Sequence, residues 1–164
     1  MLRNFFLRVT SVIGIVAVLS AAVWSFNAFS STASASAASV AQAQAAAKQV
    51  IGNPSGTLTP GILIGNTLYL SGQLGTRARA DGIAGETKAA IEAAQTILKN
   101  AQMELTDVVA VTAYLVDVND FQAFNQAYTA LFTTQPRPTR TTVIVKELVS
   151  QAKVELTMTA VKAR

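Results

Sequence analysis

The sequence predicts an α+β fold, in which a single mixed sheet carries two helices on one face and follows an N-terminal signal or anchor segment. Two stretches, residues 86–102 and 121–132, place apolar residues at the i, i+3, i+4 and i+7 spacing of a helix. Short segments rich in β-branched and aromatic residues surround them, which is typical of strands. The predicted order along the chain is therefore β-β-α-β-α-β-β, without an internal repeat.

The first 29 residues are predicted to be a signal peptide or a membrane anchor. Two arginines precede an apolar run from Val9 to Trp24, which is the order of a secretory signal. Residues 30–47 form a Ser/Ala/Gln-rich linker with several small-x-small sequences suited to cleavage and no periodic large apolar residues. We expect an exported domain, periplasmic or secreted, over residues 48–164. If the segment is not cleaved, the apolar run is just long enough to anchor the domain in a membrane.

The domain is predicted to begin with a β-hairpin. The apolar segments 62–64 and 67–70 flank a Gly-Asn dipeptide, which is a hairpin turn signal. Residues 74–85, with three glycines and two arginines, are expected to form a loop. The Ala-rich apolar stripe of the helix that follows favours close packing against a sheet.

The second half of the domain alternates strands and a helix. Residues 108–118 are β-branched and apolar on both faces, which predicts a central strand. Asn119 or Asp120 is expected to cap the second helix. Residues 139–146 and 153–162 are predicted strands, and the last alternates apolar and polar residues. The sheet face without helices is expected to favour subunit association.

Composition excludes several kinds of chemistry. The chain contains no histidine and no cysteine, which excludes Ser-His and Cys-His nucleophile systems, the common zinc sites and disulfides. It carries 13 Lys and Arg against 9 Asp and Glu, but two of the basic residues lie in the N-terminal segment. No Lys/Arg block interleaved with aromatic residues is present, so the composition does not predict nucleic-acid binding. Carboxylates, Lys, Tyr and hydroxyls remain for acid–base work.

A few polar residues of the predicted strands and helices are candidates for a site. Arg140 opens a strand after two prolines, and Glu155 lies on the polar side of the last strand. If these two strands pair as an antiparallel hairpin, the two residues lie towards opposite ends of it. Arg140 offers a fork for a carboxylate and Glu155 a base for water. From the pattern alone, both also fit solvated edge residues, the Ser71-Gly72 pair also fits an ordinary turn, and Asn125 also fits a solvated helix face.

Five sequence elements together resemble the RidA/YjgF family of enamine/imine deaminases. They cover about residues 56–162 and appear in the family's order. They are Gly65-Asn66-Thr67-Leu68-Tyr69-Leu70-Ser71-Gly72-Gln73, Asp107-Val108-Val109 through Val118-Asn119-Asp120-Phe121, Asn125-x-x-Tyr128-x-x-x-Phe132, Pro138-Thr139-Arg140-Thr141-Thr142-Val143 and Val154-Glu155-Leu156 through Ala160.

The resemblance implies a chorismate-mutase-like fold and a homotrimer with a site in each cleft between subunits. It implies hydrolysis of 2-aminoacrylate-type enamines or their imine tautomers to 2-keto acids and ammonia, without a cofactor. By the same resemblance, Arg140 holds the substrate carboxylate and Glu155 positions the attacking water. The residues that line the pocket are then Ser71, Gly72, Asn125, Leu58 and the backbone of Thr142.

One departure from the family pattern motivates an alternative function. Many deaminating members have a tyrosine at the position that Leu58 occupies here. Leu58 has no hydroxyl, so the same scaffold also fits a trimer that binds small carboxylates without catalysis. Endoribonuclease activity, a label given to some relatives, is disfavoured by the absence of histidine and the weak net charge.

Overall fold

The computed structural model describes residues 47–163. The predicted signal or anchor segment, residues 1–29, and almost all of the predicted linker, residues 30–47, lie outside the described residues. Within residues 47–163, no helix combines the length and the apolar character needed to cross a lipid bilayer.

A mixed sheet of seven strands forms one layer of the domain. The strands are β1 (Gln49–Ile51), β2 (Gly61–Ile64), β3 (Thr67–Leu70), β4 (Gln73–Leu74), β5 (Val108–Leu115), β6 (Thr139–Ile144) and β7 (Val154–Val161). Their spatial order is β1-β2-β3-β7-β5-β6, and the two-residue β4 pairs with β7 next to β3. Only β5 and β6 are parallel, while the other neighbours are antiparallel.

Two helices form the second layer, on one face of the sheet as predicted. They are α1 (Gly82–Asn100) and α2 (Phe121–Leu131). Most of the predicted stripe of α1 is buried, and α2 buries Phe124 and Tyr128. These side chains join those of the sheet in one hydrophobic core. Truncating a large residue of such a core costs about 2–5 kcal/mol of unfolding free energy.

The register of the strands separates a helix-covered face from an open face. Residues paired across neighbouring strands point to the same side, and successive residues alternate. Leu68, Val111 and Leu156 are buried on the covered face, whereas Tyr69 on the other face is exposed. The strand residues of the open face are Val50, Ile62, Ile64, Thr67, Tyr69, Leu74, Ala110, Thr112, Tyr114, Thr139, Thr141, Val143, Glu155, Thr157, Thr159 and Val161. Glu155 is the one charged residue among these strand positions.

The connection through α2 determines where the last two strands lie. A helix that joins two adjacent strands makes them parallel, so β6 lies beside β5 at the edge of the sheet. The chain then returns, and β7 pairs with β5 on its other side, where it also meets β3. An antiparallel hairpin of β6 and β7 is therefore wrong: β5 lies between them.

The first helix begins earlier than the sequence predicted. A 3-10 turn covers Thr76–Asp81 and α1 starts at Gly82, so the predicted loop is wrong over its last four residues. Thr87 and Ile83 are buried about one and two turns before the predicted stripe, which explains why the helix extends over this glycine-containing stretch. Gly85 also fits closely, because a β-carbon there would lie 2.3 Å from the side chain of Asp81.

The boundaries around β5 also differ from the prediction. The strand ends at Leu115, and a 3-10 turn covers Val118–Asp120. Neither predicted residue caps the second helix through its side chain; instead Oδ1 of Asp117 accepts a hydrogen bond from the N–H of Asn119 at 2.9 Å. Strands β1 and β4 were not predicted, because segments of three and two residues are too short to show an alternating pattern.

Candidate active site

Arg140 lies on edge strand β6 and points to the helix-covered face. It pairs with Val111, which is buried on that face. Nη2 of Arg140 donates a hydrogen bond to Oδ1 of Asn125 on α2, at 2.6 Å. The crossover from β5 through α2 to β6 thus brings Arg140 and Asn125 together, although 15 residues separate them in sequence. Asn125 is partly buried and its side chain contacts Arg140, so it does not lie on a fully solvated helix face.

This pair is a source of hydrogen-bond donors. The carbonyl oxygen of Asn125 is occupied by Arg140, which leaves its two amide N–H groups as donors. A guanidinium has no acceptor, so its remaining N–H groups add to the same set. Neither Arg140 nor Glu155 takes part in an ion pair within residues 47–163. Such a partly buried cluster of donors with one positive charge suits a carboxylate.

Thr142 lies two residues further along β6, on the same face as Arg140. The N–H of Val145 donates to the carbonyl of Leu115 on β5, at 2.8 Å. Backbone N–H directions alternate along a strand, so the N–H of Thr142 points away from β5, to the free edge of the sheet. The backbone of Thr142 is therefore available next to Arg140, where the resemblance expects a contact.

Glu155 lies on β7 and points to the open face. It pairs with Tyr114 on one side and with Leu74 of β4 on the other. Gly72 packs against its carboxylate, since a β-carbon on Gly72 would lie 1.8 Å from Oε1. The residue at position 72 must therefore be glycine for Glu155 to keep this position, which explains the Ser-Gly pair better than a turn does.

Ser71, next to Gly72, is linked to the segment of Leu58 through the backbone of Thr59. The hydroxyl of Ser71 donates to the carbonyl of Thr59 at 2.5 Å, so its proton is already used. Leu58 precedes Thr59 and exchanges two backbone hydrogen bonds of 3.0 Å with Ser55. Its side chain is 66% exposed, so it presents an apolar surface near the end of β3.

The two principal candidates do not share a site within one chain. Arg140 is level with Val111 and Glu155 with Tyr114, three residues further along β5. The two residues are separated by two interstrand distances across the sheet and by three residues along the strand direction, which puts their Cα atoms roughly 14 Å apart. Their side chains also point to opposite faces of the sheet. One described chain therefore presents two separate clusters: the Arg140 cluster (Arg140, Asn125, Thr142) and the Glu155 cluster (Glu155, Gly72, Ser71, Leu58).

Two aromatic residues beside Arg140, Phe124 and Tyr128, belong to the apolar face of the second predicted helix and are not among the predicted site residues. The guanidinium carbon lies 4.7 Å from the ring centroid of Tyr128 and 5.1 Å from that of Phe124. Burial raises the pKa of the Tyr128 phenol above its ordinary value of 10.0, while the nearby charges of Arg140 and Arg137 lower it. The i, i+4 spacing of the rings beside Asn125 was the signal in the sequence, but the same spacing is typical of any core face.

Two clefts among residues 47–163 are lined by residues other than the candidates. One of about 490 Å³ is lined by Lys99, Gln102 and Thr133, among others. Another of about 540 Å³ lies between the helices near Lys88 and Ala127. Neither cleft brings the two clusters together.

Comparison with known proteins supports one family throughout the described residues. The sequence model of the family described as Endoribonuclease L-PSP matches residues 47–162. A RutC family protein of Saccharolobus solfataricus is 35% identical over 115 residues, which are 67% of this chain and 90% of that protein. A 2-iminobutanoate/2-iminopropanoate deaminase of Dermatophagoides farinae is 33% identical over 108 residues, 63% of this chain and 84% of that protein.

Solved structures show the same fold. RidA from the Antarctic bacterium Psychrobacter sp. PAMC 21119 superposes with a TM-score of 0.64 at 29% sequence identity. The alignment covers 70% of this chain and 99% of that one. The fold that the sequence predicted is thereby confirmed.

Proposed function

We propose that this chain, which belongs to the Endoribonuclease L-PSP family of RidA and RutC proteins, hydrolyses reactive imines and enamines of 2-keto acids. The products are the 2-keto acid and ammonia. Similarity to a 2-iminobutanoate/2-iminopropanoate deaminase supports imine deamination in general. The roles of individual residues are argued below from the geometry of the two clusters.

The observation that carries the proposal is the contact between Arg140 and Asn125. Their 2.6 Å hydrogen bond fixes a guanidinium and an amide side by side, with only N–H donors left free. Every 2-imino acid carries a carboxylate next to the reacting carbon. Bound to this cluster, that carboxylate would orient the imine carbon for attack.

Glu155 supplies the base in the proposed reaction. It takes a proton from a water molecule while the water oxygen bonds to the imine carbon. Glu155 passes this proton to the nitrogen; as the carbon–nitrogen bond breaks and ammonia leaves, Glu155 takes the remaining proton of the new hydroxyl, so the carbon is left as a ketone. An iminium carbon is already electrophilic, and a carboxylate with a positioned water is therefore sufficient.

The reaction requires a second copy of the chain, since Arg140 and Glu155 lie on opposite faces of one sheet. We propose a homotrimer in which each site combines the Arg140 cluster of one subunit with the Glu155 cluster of its neighbour. The open face, which is apolar and rich in threonine, is the surface that such an assembly would cover. Light scattering after size exclusion would measure the mass of the assembly.

The direct test is an imine-hydrolysis assay on the purified protein. The imine is generated in situ from an amino acid by an amino-acid oxidase, and its decay is followed with and without the protein. We expect Arg140→Ala to abolish turnover and Glu155→Gln to lower kcat by at least about 100-fold. Full activity of Arg140→Ala would contradict the mechanism.

Matched controls separate these effects from general charge changes. Arg77→Ala removes an exposed arginine that pairs with Glu92 on α1 and lies outside both clusters. Glu147→Gln neutralises an exposed carboxylate outside both clusters. Both variants are expected to keep kcat/KM within about two-fold of the unmodified chain, because surface changes of this kind rarely reach a distant site.

Leu58 favours one alternative, a trimer that binds small carboxylates without catalysis. Its exposed side chain adds no hydroxyl to the Glu155 cluster. Saturable binding of a 2-keto acid by a protein without imine turnover would support this alternative. Cleavage of RNA has no such support: the sequence has no histidine, and the one charged strand residue of the open face is an acid.

We also propose that the domain acts outside the cytoplasm. The basic start and apolar run of residues 1–29 support export, and residues 30–47 support cleavage. Cell fractionation and N-terminal sequencing of the mature protein test this. An intact Met1 in the soluble cytoplasmic fraction would contradict it.

A further inference from the structure

The guanidinium of Arg140 rests on the aromatic surface of α2. Its carbon lies 4.7 Å from the Tyr128 centroid and 5.1 Å from the Phe124 centroid. The two centroids are 5.8 Å apart. These three lengths place both ring centroids to one side of the guanidinium carbon.

Tyr128 contacts aromatic rings on both sides along α2, those of Phe124 and Phe132. It is 2% exposed, and its ring stacks on Phe132 at 4.5 Å with an angle of 26° between the planes. Its hydroxyl has no hydrogen-bond partner within the described residues. The local structure therefore uses the ring of Tyr128 rather than its hydroxyl.

We propose that Tyr128 is a positioning residue for Arg140, an inference that rests on the proposed function. Arginine has a long side chain with many rotamers, and β6 is an edge strand that leaves it room to move. The Asn125 contact fixes one end of the guanidinium, and the Tyr128 ring holds the guanidinium carbon over its face through a cation–π contact. Two constraints of different kinds orient the remaining N–H groups towards one carboxylate position.

Phe124 completes the surface but does not replace Tyr128. It lies one helical turn earlier and slightly further from the guanidinium. Removal of the Tyr128 ring would leave Arg140 with one ring and one hydrogen bond. The expected consequence is weaker carboxylate binding with little change in the steps that depend on Glu155.

The experiment compares Tyr128→Phe with Tyr128→Leu in the full chain. The readouts are KM and kcat for imine hydrolysis, and Kd for 2-oxobutanoate as a non-reacting carboxylate probe. We expect Tyr128→Leu to raise both KM and Kd by about 5–30-fold and to leave kcat within about three-fold. Tyr128→Phe keeps the ring and is expected to restore KM and Kd to within about two-fold of the unmodified chain.

Phe132→Leu is the matched control. It removes a buried ring that stacks on Tyr128, while the observed ring contacts of Arg140 are with Phe124 and Tyr128. A merely structural role for Tyr128 predicts equal effects of Tyr128→Leu and Phe132→Leu on KM and Kd. The positioning role predicts a larger effect of Tyr128→Leu, even where both lose similar thermal stability.

A third readout keeps this inference distinguishable from the proposed function. Protons of the Arg140 guanidinium above aromatic rings shift upfield in NMR spectra, and Tyr128→Leu should reduce that shift while Tyr128→Phe preserves it. If the unmodified protein hydrolyses no imine, the proposed function fails, but Kd and the ring-current shift still decide the role of Tyr128. Unchanged KM, Kd and shift in Tyr128→Leu would overturn the inference, and so would equal damage by Tyr128→Phe. If Tyr128→Leu does not fold, Phe124→Leu tests the same aromatic surface. The inference would then be overturned if KM and Kd of Phe124→Leu were unchanged and the Arg140 signal of the unmodified protein showed no upfield shift.

Discussion

Gly72 and Glu155 are in direct contact, without room between them for any side chain. A β-carbon on Gly72 would lie 1.8 Å from Oε1 of Glu155 and 2.8 Å from its carboxyl carbon. The short β4 strand pairs with β7 at Glu155 itself and so fixes this approach. The position of the proposed base is therefore set by a residue that has no side chain.

Gly72→Ala is expected to displace the carboxylate of Glu155 and lower kcat by about 10–100-fold, because a shift of about 1 Å is costly for a positioned base. The domain should remain folded, since the carboxylate is partly exposed and can move. Imine-hydrolysis kinetics and circular dichroism check both statements. Gly65→Ala is the control: it strains the β2–β3 turn at φ 61° but contacts nothing. Equal kcat values for Gly72→Ala and the unmodified chain would show that Glu155 does not need this position.

Mixed assemblies test whether each site takes residues from two subunits. Arg140→Ala and Glu155→Gln are inactive alone by the proposal, but an interface between them can pair an intact Arg140 with an intact Glu155. After unfolding and refolding together in equal amounts, about a quarter of the sites should be intact if subunits mix at random. Activity should rise towards that fraction. A mixture as inactive as its components would exclude sites shared between subunits.

Gln102 occupies a backbone conformation that favours glycine. It has φ 57° and follows α1, where Met103 N–H bonds to Leu98 and Gln102 N–H to Lys99. Gln102→Gly is therefore expected to raise the free energy of unfolding by about 0.5–1 kcal/mol. Urea denaturation measures it. Gln95→Gly, inside the same helix, should instead lower it by about 1 kcal/mol. A less stable Gln102→Gly would contradict the prediction.

A hydrogen bond to the side chain of Glu86 connects α1 to the residue that precedes β7. Glu86 is fully buried, and its Oε2 accepts the N–H of Lys153 at 2.8 Å, two residues before Glu155. Glu86→Ala should cost about 2–4 kcal/mol of unfolding free energy, because that N–H loses its acceptor and a cavity forms. Glu86→Gln keeps an acceptor and should retain most of the stability. Chemical denaturation of both variants checks this, and equal losses would show that the hydrogen bond is unimportant.

The stability of the domain should fall at alkaline pH because of Tyr128. Burial raises the pKa of this phenol above 10.0 in the folded state, despite the opposing charges of Arg140 and Arg137. Between about pH 10 and the raised pKa, the folded state binds more protons than the unfolded state, so unfolding becomes easier as pH rises. Below pH 10 the contribution is constant. Thermal unfolding of Tyr128→Phe should lose this part of the slope, and an unchanged slope would refute the assignment.

The fold could be predicted from periodicity because most of its elements are long enough to show it. The alternation in β7 placed Leu156 and Met158 inside and Glu155 outside, as observed. The Gly-Asn turn identified the β2–β3 hairpin. Strand β1 was not predicted because three residues are too few to show an alternation of apolar and polar side chains. The pairing of β7 with β5 depends on the crossover through α2, which no local pattern encodes.

The sequence could predict which residues belong to the candidate site but not how they are arranged in space. The contact between Arg140 and Asn125 arises from packing of α2 against β6, and the role of Gly72 from the approach of β4 to β7. Tyr128 and Phe124 looked like ordinary core residues because their helical spacing is that of a core. Sequence spacing also could not show that Arg140 and Glu155 point to opposite faces, since this depends on their register against β5.

The threonines of the open face affect the solubility of the free chain. Each threonine carries a hydroxyl that water can solvate and a methyl group that a neighbour can pack against. A face with Thr112, Thr157 and Thr159 at its centre can therefore be hydrated in the free chain and still release its water when another surface packs against it. Under the proposed export and trimer assembly, such a surface would keep the free chain soluble during transport and still allow it to pack against its neighbours.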